Sequence, residues 1–226
     1  TSDLIVLLPT RGRRDNVIRC ATSFSETSVR AQLLLITDDD DNSYDGLSYP
    51  GVTIPRMTLS GKLNRVAMEL ADSFKALMFT ADDHVFRTSS WDEVMMSKLD
   101  DMGGTGILYP DNSRRADVPE CWMVSSDIVM ALGWFAEPSL KHYWTDNVWA
   151  DIGRHAKCIR YCPEVVVSHH HYQIDSSVPY DETYRLAESS GNEDAQAYQV
   201  WRHDKMDADV AAVKSLLRKQ MNSQRV

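Results

Sequence analysis

Leu4-Ile5-Val6-Leu7-Leu8 is an unbroken apolar run stopped by Pro9, the pattern of a strand buried on both faces. Over residues 15 to 24, Val17, Ile18, Ala21 and Phe24 fall on one side of a helix, and Leu33-Leu34-Leu35-Ile36 predicts a second buried strand. The start is therefore β-α-β. A turn-rich connection carrying Asn42, Ser43, Asp45, Gly46, Pro50 and Gly51 follows. A helix is expected to open after Ser60-Gly61, with Leu63, Val66, Ala67 and Leu70 at helical spacing, and to lead into the strand Ala76-Leu77-Met78-Phe79. The pattern then predicts a helix over 91–102, short strands at 106–109 and 121–125 around a polar loop at 111–119, and a helix over 127–132. A further helix, capped by Thr145 or Asp146, should end near His155, before strands at 158–161 and 165–167. Beyond Pro179 the chain turns polar and helix-prone, with Val210, Val213, Leu216 and Leu217 as a modest apolar stripe. The expectation is an α/β domain over 1–179 and a helical C-terminal extension over 180–226.

Composition narrows the partners. At 226 residues and 43% hydrophobic content the chain can bury a full core. A formal charge of −9 works against nonspecific polyanion binding, because a field of that sign repels phosphate backbones. Cys20, Cys121, Cys158 and Cys162 are too few and too scattered for a disulfide framework, so reduced thiols are expected, and Cys158 and Cys162, with no second cysteine pair to build a zinc site, read as core cysteines. With neither a signal-peptide pattern nor an apolar run of about 18 residues, the expectation is a cytoplasmic protein with no membrane partner.

Candidate chemistry gathers at strand ends. The Ala76 strand runs into Asp82-Asp83-His84, and adjacent carboxylates beyond the carboxyl end of a buried strand suit a hard divalent cation. The second strand also ends in acids, of which Asp38 or Asp39 is the stronger candidate and Asp40 and Asp41 the weaker. Arg11, Arg13 and Arg14 follow the first strand, and Lys62 sits in the first turn of its helix. Cations at a helix N-terminus oppose the dipole, so these positions suggest a phosphate ligand. His169-His170-His171 ends the last strand, where alternation puts His169 and His171 on one face and His170 on the other. One of that pair could complete a metal shell.

Pro9-Thr10-Arg11-Gly12-Arg13, Asp38-Asp39, Lys62 with Asn64, and Asp82-Asp83 occur in the order that resembles nucleotide-sugar glycosyltransferases of the GT-A fold, most like family 2. The resemblance covers roughly residues 4 to 171. It implies a Rossmann-like mixed sheet flanked by helices, with a nucleotide-binding half over 1–103 and an acceptor half over 104–179. It further implies a metal-dependent, inverting transfer from a nucleoside-diphosphate sugar, with a UDP-sugar favoured and Mn²⁺ or Mg²⁺ as the cofactor. By position, Thr10, Arg11, Arg13, Asp38 or Asp39, and Lys62 would bind the donor. Thr80-Ala81-Asp82 would occupy the Asp-x-Asp slot, in which Thr80 replaces the first acid; Asp82 would then hold the metal and Asp83 the ribose or a first metal contact. His169 or His171 resembles the late histidine ligand of some members. Asp146, opening a helix after the acceptor-side strands, takes the place of the catalytic base.

With no membrane span and no polybasic or amphipathic anchor a lipid acceptor is disfavoured, which leaves a soluble saccharide, a protein, a small molecule or a nucleobase hydroxyl as the expected acceptor. The Arg114-Arg115 loop and the basic residues Arg202, Lys205, Lys214, Arg218 and Lys219 resemble small phage-encoded glycosyltransferases, some of which modify hydroxylated bases in DNA. Rival readings are a sugar nucleotidyltransferase, although Thr10 to Arg14 holds one glycine where such enzymes are glycine-rich, a metal-dependent phosphohydrolase, and a non-enzymatic sugar-binding module.

Overall fold

A computed structural model describes residues 3–223. The apolar runs form the strands β1 (Leu4–Pro9), β2 (Gln32–Asp38), β3 (Gly51–Ile54) and β4 (Ala76–Phe79), all parallel, which lie side by side in the order β3-β2-β1-β4. The strands β5 (His84–Phe86), β6 (Ile107–Asp111), β7 (Met123–Ser125) and β8 (Ile159–His169) extend the sheet as β4-β7-β6-β8-β5. β7 runs antiparallel to both of its neighbours, so the sheet is mixed.

Both faces of the sheet are covered, which is why its central strands show no alternation. Leu4, Val6 and Leu8 of β1 pack on one side with helices α1 (Arg14–Thr27) and α3 (Trp91–Asp101). Ile5 and Leu7 pack on the other with α2 (Leu59–Leu70), α4 (Ser126–Leu132) and α5 (Thr145–Ala156). The C-terminal segment forms α6 (Glu182–Ser189), α7 (Gly191–Asp204) and α8 (Met206–Ser223), and Tyr198, Trp201, Val210 and Val213 enter the same core as Ile5 and Leu7. The extension is thus built onto the sheet rather than beside it.

Several boundaries differ from expectation. α2 begins at Leu59, before Ser60-Gly61, because Thr58 caps it by accepting the Gly61 N–H. The two late strands are one, β8, with a register shift opposite Pro110 and Asp111 that takes up Pro163, which has no N–H to donate to the ladder. Neither Thr145 nor Asp146 caps α5. That position belongs to Trp144, held at φ 71°, and it turns the chain so that Asp146 lies in the first helical turn.

A buried acid fixes the approach to α5. Asp194 of α7 accepts the backbone N–H groups of Lys141, His142 and Tyr143 at 2.7–2.9 Å. Asp194→Ala leaves these donors without their charged acceptor and is expected to destabilise the fold by about 2–4 kcal/mol in denaturant titration. A loss under about 1 kcal/mol would show that water replaces the carboxylate.

Candidate active site

Parallel strands deliver their carboxyl ends to one edge, and there β1, β2 and β4 open into a cleft of about 700 Å³. Thr10 is a hub. Its hydroxyl donates to Asp82 Oδ2 at 2.6 Å and so accepts from the Tyr44 phenol at 2.7 Å, which in turn accepts the Arg13 N–H at 3.1 Å. The loop turns at Gly12, whose φ of 66° would strain a side-chain-bearing residue, and its N–H reaches Asp41. Asp38, almost wholly buried, takes Lys62 Nζ at 2.8 Å and Arg11 at 3.0 Å, so the lysine in the first turn of α2 is neutralised by the β2 acid. The structure separates Asp38 from Asp39: Asp38 lines the cleft, while Asp39 is exposed outside it and accepts the Arg56 N–H.

Arg13 is not left free to meet a phosphate. Its guanidinium grips Asp181 with two bonds of 2.7 Å, reaches Asp82 at 3.2 Å and Asp83 at 3.8 Å, and carries the Tyr184 ring 3.9 Å from its centre. It braces the acid pair against α6, a different task from the donor contact that the resemblance implies. Tyr184 also donates to Asp83 Oδ2 at 2.8 Å.

Asp83, His84 and His169 place one ligand atom each within 4.8 Å of one another. The two histidines are cross-strand partners in the antiparallel β5–β8 pair, so their rings rise from adjacent positions. Asp83 Oδ1 and His84 Nε2 are buried without a hydrogen-bond partner, and His169 Nε2 stands 3.4 Å from that same oxygen. Buried polar atoms without partners are costly, and an oxygen and two imidazole nitrogens form a donor set for a divalent transition metal, Mn²⁺ among them, provided His84 takes the tautomer in which its Nδ1–H donates to Thr80 Oγ1 at 3.1 Å rather than Nδ1 accepting the Ala81 N–H at 3.2 Å. On its far side, His169 Nδ1 meets Glu120 Oε2 at 2.8 Å. Asp82 lies outside the group, taken up by Thr10 and Arg13. His171 lines the cleft with its ring centroid 5.2 Å from that of His169, and His170, past the end of β8, meets Arg87.

The electrostatics agree with this sorting. Burial and the charge of Asp83 push Asp82 up, whereas for Asp83 the opposing burial is overcome by His169, His84 and Tyr184, which hold it below the carboxylate range. Burial also opposes charge on His169, but Asp83 and Glu120 on either side outweigh it and raise the pKa to about 9. Burial and the His169 charge take His84 down to about 3 and His171 to about 4, so both stay neutral. Asp146 lines the same cleft, half-buried, and desolvation pushes it up to about 6 even though its Oδ1 accepts the Asn147 N–H.

Similar folds occur among solved structures. PcManGT, a mannosyltransferase from Pyrobaculum calidifontis in complex with GDP-Man and Mn²⁺, aligns over 94% of this chain and 73% of its own at TM-score 0.62 and 10% identity. S. aureus TarS 1-349 in complex with UDP aligns over 73% of this chain at TM-score 0.56 and 11% identity, and the match spans 59% of TarS 1-349. A nucleotide-diphospho-sugar transferase from Desulfovibrio desulfuricans G20 aligns over 87% of this chain and 98% of its own at TM-score 0.50 and 9% identity. The fold is GT-A. At these identities the likeness is one of architecture, and no protein-family model and no curated protein matches the chain by sequence.

The GT-A cleft gathers Thr10, Arg11, Arg13, Asp38, Lys62, Asp82, Asp83, Asp146, His169 and His171. Sequence reasoning missed three residues there, His84, noted beside the acids but given no role, Glu120 and Tyr184, and with them Asp181, which holds Arg13 from outside the cleft lining. Adjacency to Asp83 could have found His84, whereas the other three come from loops and α6 with no local signal. Arg202 and Lys205 are paired with Asp151 and Glu137. The four cysteines are buried and unpaired in disulfides, with burial pushing Cys158 up to about 12 and Cys162 to about 11. Among the described residues no helix is long and apolar enough to cross a membrane.

Proposed function

We propose that the protein is a metal-dependent, inverting glycosyltransferase that moves a sugar from a nucleoside-diphosphate donor to a hydroxyl acceptor. The observation that carries this reading is one cleft holding the Asp83-His84-His169 group, the Asp38–Lys62 pair and the desolvated Asp146. The fold it shares with PcManGT, solved with GDP-Man and Mn²⁺, supports it.

In this reading Asp38, Lys62 and Arg11 hold the nucleoside end of the donor. Asp83, His84 and His169 would hold Mn²⁺ or Mg²⁺, which when bound neutralises charge developing on the leaving diphosphate. Asp146 takes the proton from the acceptor hydroxyl as its oxygen bonds to the anomeric carbon and the carbon–phosphate-oxygen bond breaks. A single displacement inverts the anomeric centre.

The test is incubation with UDP-, GDP- and other nucleotide sugars in Mn²⁺, with oligosaccharides and hydroxymethylated DNA offered as acceptors. Release of nucleoside diphosphate that EDTA abolishes is expected. Pyrophosphate release would indicate a nucleotidyltransferase, inorganic phosphate a phosphohydrolase, and donor binding without turnover a sugar-binding module.

A further inference from the structure

The sheet-edge carboxylate Glu120 is not used by that mechanism, yet it is built in with care. It lies just before β7, its side chain 11% exposed, and every polar contact it makes points to one task. Oε2 receives His169 Nδ1 at 2.8 Å and Asn112 Nδ2 at 2.9 Å, while Oε1 faces Arg114 Nη1 at 3.3 Å. Asn112 also accepts the His169 backbone N–H through its carbonyl at 3.1 Å. Two residues thus clamp His169 by ring and by backbone.

A neutral imidazole carries one N–H. The two flanking carboxylates favour the doubly protonated ring, so a cation must displace the Nε2 proton; the carboxylate at Nδ1 then keeps the remaining proton there and leaves the lone pair on Nε2, the atom 3.4 Å from Asp83 Oδ1. Arg114 and Asn112 hold Glu120 in turn, so a flip of the ring would give up its contact with a fixed carboxylate at Nδ1 and its approach to Asp83 at Nε2. Outer carboxylates of this kind fix the tautomer and raise the basicity of a ligating histidine.

We propose that Glu120 is a positioning residue that acts through His169, orienting its Nε2 for a divalent cation shared with Asp83. The proposal rests on the metal reading of the site, and its test uses MnCl2 alone, without donor or turnover. Calorimetry and Mn²⁺ paramagnetic resonance on the full chain should show Glu120→Ala binding Mn²⁺ about 10–100-fold more weakly than the parent. Glu120→Gln keeps an oxygen for the Nδ1 proton but loses the charge, and a weakening of about fivefold is expected; it also serves if the alanine variant does not fold.

A double-mutant cycle separates positioning from mere stability. If Glu120 acts through His169, adding Glu120→Ala or Glu120→Gln to His169→Ala should weaken Mn²⁺ binding no further. Unchanged Mn²⁺ affinity in folded Glu120 variants would overturn the role of Glu120 while leaving the metal centre standing, and additive losses would make it an independent ligand. A parent protein that binds no Mn²⁺ would overturn the metal reading and this inference together.

Discussion

Asp146→Asn is expected to lower kcat by about 10²-fold or more while leaving the donor Kd unchanged, the loss that follows removal of a general base. Asparagine keeps the shape and the oxygen that accepts the Asn147 N–H, so positioning survives and proton abstraction does not. The pH profile gives the sign. A base must be deprotonated, so kcat/KM of the parent should fall tenfold per unit as pH drops below about 6, where desolvation has placed this carboxyl. Stability moves the other way. A carboxyl raised from 3.8 to about 6 in the folded state contributes stability at low pH that is lost as pH rises through about 6, about 1–3 kcal/mol by pH 7.5. The asparagine variant should therefore melt at a higher temperature than the parent at pH 7.5. Near-normal turnover, or product that retains the donor configuration, would place the base elsewhere.

Asp83→Asn should weaken Mn²⁺ binding by about 10²-fold or more, beyond the 10–100-fold typical of losing an outer partner, and donor binding should become insensitive to EDTA. Asparagine still accepts the Tyr184 hydroxyl, so the clamp of α6 on the acid pair is retained. Asp82→Asn is the contrast. Asp82 is engaged by Thr10 and Arg13, so its loss should loosen the donor loop and weaken nucleotide binding, with less than a tenfold change for Mn²⁺. Equal effects of the two substitutions on Mn²⁺ would return Asp82 to the metal shell, as the sequence resemblance implies.

Much of the cleft was legible because it lies at strand ends. β1, β2 and β4 read as continuous apolar runs, and their parallel register sends Thr10, Asp38 and Asp82 to one edge. Less was legible where the contact crosses the chain. Glu120 meets His169 from a loop between β6 and β7, and Tyr184 and Asp181 reach Arg13 and Asp83 from a segment read only as a polar helical extension.

The sequence by itself determined the α/β class, the strands buried on both faces and the edge at which acids and cations gather, since periodicity and strand direction are local properties. Tertiary structure alone decided which atoms meet. Antiparallel pairing of β5 with β8 set His84 beside His169, a buried oxygen without a hydrogen bond set Asp83 apart from Asp82, whose two oxygens take Thr10 and Arg13, and docking of α6 turned Arg13 from a free fork into a brace. These depend on desolvation and hydrogen-bond geometry between residues far apart in the chain, which no pattern of neighbours encodes.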